Sequence, residues 1–174
     1  MRTRRQFVSL EAATAPRSLH EAVRAGLEMP LLMSALPLRV ASFALQSPER
    51  DKIQLLIHAD IGTDYTAARS VSAGYMLFDG AGRLVDRQAL DARVTPVMNG
   101  VSSPLQLRIG ASVPPGEYTL KLAVAEGDRA GTVEHPIRAT LSEAGGVELS
   151  ELMVGGPHSF RACCRCRSSR QAST

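Results

Sequence analysis

The sequence predicts an all-β domain built as an antiparallel sandwich, and three observations lead to this prediction. Apolar and polar residues alternate with a period of two in several stretches between residues 38 and 154. Turns rich in Gly and Pro separate these stretches at short, regular spacing, with no helical pattern between them. Aromatic residues make up only 4% of the 174 residues and Trp is absent, so aliphatic side chains must fill the core. The pattern is typical of an Ig- or fibronectin-III-like sandwich of about seven or eight strands.

One short helix is expected before the strands. Ser18 and Glu21 have the spacing of a capping box, in which the serine side chain accepts a hydrogen bond from the backbone N–H three residues on. Leu19, Ala22, Val23 and Leu27 then share one helical face. Pro30 cannot continue the helix. The predicted amphipathic helix therefore covers about 19–28.

The alternating stretches predict eight strands. They cover residues 38–46, 52–61, 74–79, 83–94, 103–113, the segment from the Pro114-Pro115-Gly116 turn to Val124, 132–141 and 147–154. In the sixth strand the alternation places Tyr118 and Leu120 inward and Lys121 and Ala123 outward. Pro136 cannot donate a hydrogen bond to a neighbouring strand, so the seventh strand is predicted at a sheet edge or bulge.

The charge distribution divides the chain into three parts. Residues 1–17 carry four Arg and one Glu, and residues 158–174 carry four Arg and no acidic residue, although the net charge of the whole chain is only +3. The segment between them is therefore mildly acidic, which is not the electrostatic surface of a nucleic-acid-binding protein. We predict an N-terminal extension over 1–36, a β-sandwich domain over 37–157 and a disordered basic Cys/Ser/Arg tail over 158–174.

Two further features bear on location. The sequence contains no run of 18 apolar residues, so no membrane-spanning segment is expected. The Arg-Arg pair near the start resembles a twin-arginine export signal, but Glu11 interrupts the apolar stretch that such a signal needs, so no signal peptide is predicted.

The candidate catalytic residues are not expected to form a site. If the alternate residues from Ile53 onward face the core, His58 and Asp60 face outward together as part of a solvated surface. Glu134 and His135 are neighbours in one strand and point to opposite sides. No Gly-x-Ser-x-Gly motif is present. The sequence therefore predicts no catalytic residue and no cofactor.

No metal site is predicted either. The segment from Asp79 to Gly82 is too short for a calcium loop and is explained by a hairpin turn. His158, Cys163, Cys164 and Cys166 are potential zinc ligands, but paired zinc-binding cysteines usually stand two to four residues apart, and Cys163 and Cys164 are adjacent.

A collinear set of segments resembles a known family. The segments are "RTRRQF" (2–7), "LPLRVASFAL" (36–45), "VPPGEYTLKLAV" (113–124), "GTVEHPIRATL" (131–141) and "LSELMVGGP" (149–157). In this order they resemble the C-terminal half of acidobacterial exported proteins related to von Willebrand factor A (VWFA-related). The resemblance implies that the arginine-rich segment closes an upstream A-type domain and that the remainder is an accessory β-sandwich, in a periplasmic or extracellular protein.

The sequence also departs from that family. It lacks the Asp-x-Ser-x-Ser motif on which the metal site of an A-type domain depends, so the adhesion chemistry of that domain is not carried over. The family pattern continues where this chain turns into the basic tail after Pro157. The expectation is that Met1 is an internal start and that the tail is a truncation or a shifted frame, which makes the chain a fragment of a larger protein.

These observations favour a non-catalytic structural or interaction module whose partners are other protein domains. The first alternative is a carbohydrate- or peptide-binding sandwich, which needs an exposed aromatic platform, with Tyr65 and Tyr75 as candidates. The second is a hydrolase with a site on the loops 62–72 or 94–104, for which Asp64 or Asn99 would be essential.

Overall fold

A computed structural model describes residues 18–28, 33–98 and 101–153. In these residues the structure contains one helix and nine strands. They are α1 (Leu19–Glu28), β1 (Leu38–Gln46), β2 (Ile53–Tyr65), β3 (Arg69–Asp79), β4 (Leu84–Pro96), β5 (Ser103–Val113), β6 (Gly116–Glu126), β7 (Arg129–Ala139), β8 (Ser142–Ala144) and β9 (Val147–Leu149).

The strands form a sandwich of two layers. One layer has the order β1-β2-β5 and the other the order β4-β3-β6-β7, and every pairing is antiparallel. The layers are joined at one corner, where Thr95 and Pro96 of β4 pair with β5. The predicted all-β antiparallel sandwich is confirmed.

The predicted strands differ from the observed ones mainly at their ends. The bounds of β1 and β5 agree with the prediction, and β2, β3, β4 and β6 run further than expected. The segment over 147–154 is predicted to be a strand or extended; of its described residues, 147–153, Val147–Leu149 is strand, paired with the unpredicted Ser142–Ala144. This small hairpin turns at Gly145 and Gly146, which both have positive φ.

The core lies between the layers and follows the alternation of the sequence. On β2 every second residue from Ile53 to Ile61 is buried, and β5 repeats the pattern from Leu105 to Val113. The opposing layer supplies Val71, Leu77, Leu120, Leu122 and Val124. Aliphatic side chains thus fill most of the core, as the scarcity of aromatic residues requires.

Tyr118 fixes the start of β6. Its hydroxyl donates a hydrogen bond of 2.7 Å to the carbonyl oxygen of Pro114, four residues earlier. A tyrosine that bonds back to the backbone at the start of the sixth strand is the tyrosine corner of Ig-like sandwiches. Burial raises the pKa of the Tyr118 phenol, so the hydroxyl keeps the proton that it donates. The segment around the Pro-Pro-Gly turn is therefore part of the scaffold.

The helix α1 has the predicted bounds and cap. The backbone N–H of Glu21 donates to Ser18 Oγ at 3.2 Å. The helix packs on the outer face of β3, β6 and β7, where the residues are small: an ideal Cβ on Gly74 would lie only 2.7 Å from Val23 Cγ1. Ala123 points outward, as the alternation predicts, but it is only 1% exposed because the helix covers it.

Residues 33–36 cover the edge of β7. Thr132 N donates to Met33 O at 2.8 Å, and Leu36 N donates to Ala130 O at 3.0 Å. Between them, Gly131 lies so close to Leu36 that a Cβ would be 2.0 Å from the Leu36 carbonyl oxygen. The prediction that Pro136 places its strand at an edge is confirmed, since β7 is the last strand of its layer.

The edge of β1 is also partly covered. Ala44 N donates to Glu151 Oε2 at 2.7 Å, and Glu151 N donates to Ala44 O at 2.9 Å. Gln46 N donates to Ser150 Oγ at 2.9 Å. The segment after β9 thus lies along the second half of β1.

Candidate functional site

Ser72, Asp91 and His20 meet where α1 lies beside β4. Ser72 on β3 and Asp91 on β4 are directly opposite each other in the sheet, on its outer face. Ser72 Oγ donates a hydrogen bond to Asp91 Oδ1, and Asp91 Oδ2 lies 2.9 Å from His20 Nε2. The three residues border an open groove of about 480 Å³. No local pattern in the sequence groups them, because the contact depends on the strand register and on where the helix docks.

The order of the three groups decides what they can do. In a Ser–His–Asp triad the imidazole accepts the hydroxyl proton and the carboxylate orients the imidazole. Here the carboxylate of Asp91 lies between the other two, so the Ser72 hydroxyl donates to a carboxylate instead of to an imidazole. Ser72 is also only 3% exposed. The arrangement ties α1 to the β3–β4 hairpin and places no imidazole against the hydroxyl.

A second cluster joins the end of β2 to the β6–β7 turn. Tyr65 Oη donates to Glu126 Oε2 at 3.1 Å, and Arg129 Nη2 donates to both, at 2.6 Å to Tyr65 and 2.8 Å to Glu126. The guanidinium also lies 5.7 Å from the centre of the Tyr65 ring. Burial, and then the Glu126 carboxylate, raise the pKa of Tyr65. Asp64 is exposed beside this cluster, whereas Asn99 lies outside the described residues.

A third polar contact joins the two layers where β7 faces β1, away from the β4–β5 corner. His135 on β7 faces β1, and its Nε2 lies 3.0 Å from Ser42 Oγ. Its neighbour Glu134 is exposed on the other face, so the prediction that the two point to opposite sides is confirmed. Burial lowers the pKa of His135.

This lowered pKa makes stability depend on pH. Between the folded and unfolded pKa values of His135 the unfolded chain binds more protons, so the free energy of unfolding falls as the pH falls below about 6.5. We expect His135→Gln, which can keep the hydrogen bond to Ser42, to lose less stability than the wild type between about pH 7.5 and 5.5. Urea unfolding at both pH values measures the difference. Equal losses of stability in the two proteins would show that His135 is not the source of the pH dependence.

The pair predicted as a solvated surface on β2 is only partly exposed. His58 Nε2 and Asp60 Oδ1 are 3.7 Å apart, on side chains that are 25% and 37% exposed. Neither of these two atoms has a hydrogen-bond partner in the described structure. Across the strands, Arg108 is opposite His58 and Arg39 is opposite Asp60. The four side chains form a polar strip on the outer face of the β1-β2-β5 layer.

The tyrosines do not form an exposed platform. Tyr75 is 2% exposed, and its hydroxyl donates to Asp86 Oδ2 at 2.7 Å. Burial, together with the bond to Asp86, raises the pKa of Tyr75. Tyr65 is 6% exposed. The two tyrosines proposed for a carbohydrate-stacking surface are therefore buried in the interior.

The Asp79 turn is a hairpin, as predicted. Asp79 Oδ1 accepts hydrogen bonds from the backbone N–H groups of Ala81 and Arg83, at 3.0 and 2.9 Å, and Gly82 has a φ of 75°. The N–H of Arg83 is the main cause of the lowered pKa of Asp79. Across residues 18–28, 33–98 and 101–153, no three His, Cys, Asp or Glu side chains gather as metal ligands. His158 and the three cysteines lie outside these ranges, so the absence of zinc there stays a prediction.

One helix-side groove remains beside β4. It has a volume of about 390 Å³ and lies between α1 and the outer face of β3 and β4. Its apolar lining includes Val23, Leu27 and Met76, and the cationic side chains of Arg24 and Arg87 border it. In the described part of the chain Arg24 pairs with Glu28 at 2.9 Å, whereas Arg87 forms no ion pair.

No family model matches the sequence, and no curated protein matches it. Among solved structures, a Bacteroides uniformis β-glucuronidase aligns with 58% of this chain and 13% of its own, at 11% identity and a TM-score of 0.41. A putative β-galactosidase from Bacteroides fragilis aligns with 59% of this chain and 16% of its own, at 9% identity and a TM-score of 0.44. The structural genomics target SoR45 aligns with 72% of this chain and 100% of its own, at 12% identity and a TM-score of 0.39. This chain thus spans about a seventh of the length of the two glycosidases, and its fold is defined by the strand pairing given above.

Among the described residues no helix has both the length and the apolarity to cross a membrane.

Proposed function

We propose that this chain is a non-catalytic interaction module that binds a protein partner along the outer edge of β4. The observation that carries the proposal is the pairing of this strand. β4 pairs with β3 along residues 84–94, but on its other side only Thr95 and Pro96 pair, with β5. The remaining backbone groups of that side have no strand beside them in the described structure. Such an edge is a template for an added strand.

The other edges support the choice of β4. Residues 33–36 lie along β7, and Ser150 and Glu151 lie along β1. The side of β5 that faces β4 is also open beyond Gln106, but the inward side chains there are buried, from Leu107 to Val113. On β4 most side chains are exposed, including Leu84 at 45% and Val85 at 43%. A strand that extends to the start of β4 would cover this apolar surface, which is now in water.

The polar clusters support the non-catalytic part of the proposal. Each cluster joins two elements of the scaffold: Asp91 holds α1 against the β3–β4 hairpin, Glu126 and Arg129 hold Tyr65 of β2, and His135 reaches Ser42 of β1. None of them has the order of a Ser–His–Asp triad: Asp91 lies between Ser72 and His20, and in the described structure no carboxylate is bonded to the His135 imidazole beside Ser42. Their hydrogen bonds stabilise the framework that presents the β4 edge.

The groove beside α1 suits the same role. It runs next to β4 and has an apolar lining with Arg87 at its border, so a strand added to β4 can place side chains in it. A peptide or a strand of another domain fits this surface. That this domain follows an A-type domain, and that its partner is such a domain, remain predictions from the VWFA-related resemblance.

Hydrolysis assays test the proposal against the hydrolase alternative. We expect the wild type to turn over chromogenic glycosides, esters and phosphates no faster than Asp91→Asn, which keeps the shape of the side chain but removes the charge between Ser72 and His20. Asp64→Asn serves as the matched variant; Asp64 is exposed at the end of β2, so the predicted loop over 62–72 is wrong in extent and only residues 66–68 lie between the strands. Turnover that is lost in either variant, while the unfolding temperature is unchanged, would overturn the proposal.

A further inference from the structure

We infer that the strand added to β4 is the β4 strand of a second copy of this chain, antiparallel to the first and related to it by a two-fold axis at Ala89. The inference rests on the proposed function, because it names the partner of the same edge. It follows from the geometry of antiparallel pairing and from the order of charges on β4.

Pairing geometry limits the possible registers. Along an edge strand, alternate residues direct their N–H and C=O groups toward a new partner, and in an antiparallel ladder such residues must face each other. When the partner is an identical strand, the two numbers of each pair must therefore both be odd or both be even. A symmetric ladder can be centred on one residue, such as Ala89, and cannot be centred between two residues.

The register centred on Ala89 pairs opposite charges. It places Arg87 of each copy opposite Asp91 of the other, on the outer face, with Ala89 opposite itself. On the inner face it places Asp86 opposite Ala92 and Gln88 opposite Leu90. The ladder thus runs over residues 86–92, and it ends at Val85, where the pairing with β3 shifts register. Opposite charges directly across a ladder stabilise it.

In the single chain, Arg87 and Asp91 are both available for this contact. Arg87 is exposed and has no ion pair in the described structure, so the second copy supplies its first carboxylate. The Asp91 side chain is 61% exposed although it contacts Ser72 and His20, so it keeps a free side for a cation. The pair forms twice in the dimer because of the symmetry.

The neighbouring registers are less suitable. Centring on Arg87 or on Asp91 places that residue opposite its own copy, and centring on Leu90 places Arg87 opposite Arg93. Centring on Gln88 leaves every charge opposite an uncharged residue. Centring on Ala92 pairs Asp91 with Arg93, but only residues 90–94 fit before β5 takes up Thr95. Like charges directly opposite each other destabilise a ladder. The Ala89 register alone combines seven paired residues with two pairs of opposite charge.

Charge exchange tests this register in the full-length chain. Sedimentation equilibrium of the wild type should show a monomer–dimer equilibrium. Arg87→Asp and Asp91→Arg should each raise the dimer dissociation constant by about tenfold, since each puts two like-charge pairs in the dimer.

A mixture of the two variants should form a heterodimer as tight as the wild-type dimer. In this heterodimer the carboxylate introduced at position 87 of one copy faces the guanidinium introduced at position 91 of the other. The second contact joins the native Asp91 of the first copy to the native Arg87 of the second, so both pairs are again of opposite charge. A loss of dimer without this rescue would overturn the register.

A cross-link covers the case in which Asp91→Arg fails to fold. In a background with Cys163, Cys164 and Cys166 replaced by Ser, Ala89→Cys should form a disulfide-linked dimer on mild oxidation, since the two-fold axis places the two thiols opposite each other. Thr119→Cys, which is exposed on the outer face of β6, is the matched control and should form no disulfide-linked dimer. Cross-linking of both variants to the same extent, or of neither, would overturn the inference.

The two proposals fail in different ways. A monomeric wild type without cross-linking at Ala89 excludes the second copy as the partner, and it does not change the result expected from the hydrolysis assays. Turnover that depends on Asp91 or Asp64 excludes the non-catalytic module whatever the oligomeric state is.

Discussion

Gly131→Ala is expected to lower the free energy of unfolding by about 3 kcal/mol. A methyl group at this position would lie 2.0 Å from the carbonyl oxygen of Leu36 and 3.2 Å from Leu38 Cγ. Because the nearest atom belongs to the backbone, no side-chain rotation can relieve the overlap. Residues 33–36 must move away from β7, and the hydrogen bonds of Leu36 N and Thr132 N on either side would be strained or lost. Urea unfolding measures the effect.

Gly110→Ala is the matched control for this prediction. Gly110 also lies within a strand, but its nearest contact is Gln54 Nε2 at 3.2 Å, at the end of a flexible side chain. We expect this variant to stay within about 0.5 kcal/mol of the wild type. If the two alanine variants unfold at the same urea concentration, residues 33–36 do not hold the edge of β7 as described.

Ala123→Glu is expected to cost at least about 2 kcal/mol. Ala123 is buried under α1, and the ideal Cβ of Gly26 would lie 3.3 Å from its side chain, so no room remains for a carboxylate. The charge can reach water only if the helix leaves the sheet. The cost is therefore limited to the free energy with which α1 docks. Amide hydrogen exchange should show faster exchange over residues 19–28, along with the lower free energy of unfolding.

Thr119→Glu tests whether burial by the helix is the cause. Thr119 lies on the same face of the same strand, four residues earlier, but it is exposed. Its substitution should change the free energy of unfolding by less than about 0.5 kcal/mol and leave the exchange of the helix unchanged. An Ala123→Glu variant with the stability and helix exchange of the wild type would show that α1 does not pack on β6.

The scaffold was largely predictable because its signals are local. The alternation in β2 and β5 reports directly which side chains are buried, the Ser18 cap fixes the start of α1, and the Gly and Pro turns mark the strand ends. The edge position of Pro136 follows from its missing N–H. None of these inferences depends on which strands are neighbours.

The sites were not predictable because they depend on distant contacts. Ser72 and Asp91 meet only through the β3–β4 register, and His20 joins them only because α1 docks on a face of small residues. Alternation alone places Ala123 in water, since it cannot show that a helix covers the outer face. Tyr65 and Tyr75 are candidates for an exposed platform in the sequence, but both are buried in the core between the layers.

The open edge of β4 also needed the structure. The sequence shows a strand with charges at Asp86, Arg87, Asp91 and Arg93, which is compatible with either an edge or a surface-facing central strand. Only the observed pairing of β4, with β3 on one side and two residues of β5 on the other, identifies the unpaired side. Arg87 and Asp91 can pair with their counterparts in a second copy only because β4 is an edge strand.

Amide hydrogen exchange over residues 84–94 tests the central claim, that β4 is an open edge for a partner strand, most directly. With protein at about 1 μM, the amides of this segment that point away from β3 should exchange fast. At about 1 mM those over 86–92 should become protected in the wild type and clearly less protected in Arg87→Asp. Amides that are equally protected at both concentrations would show that the edge is already covered within a single chain, and would contradict this claim.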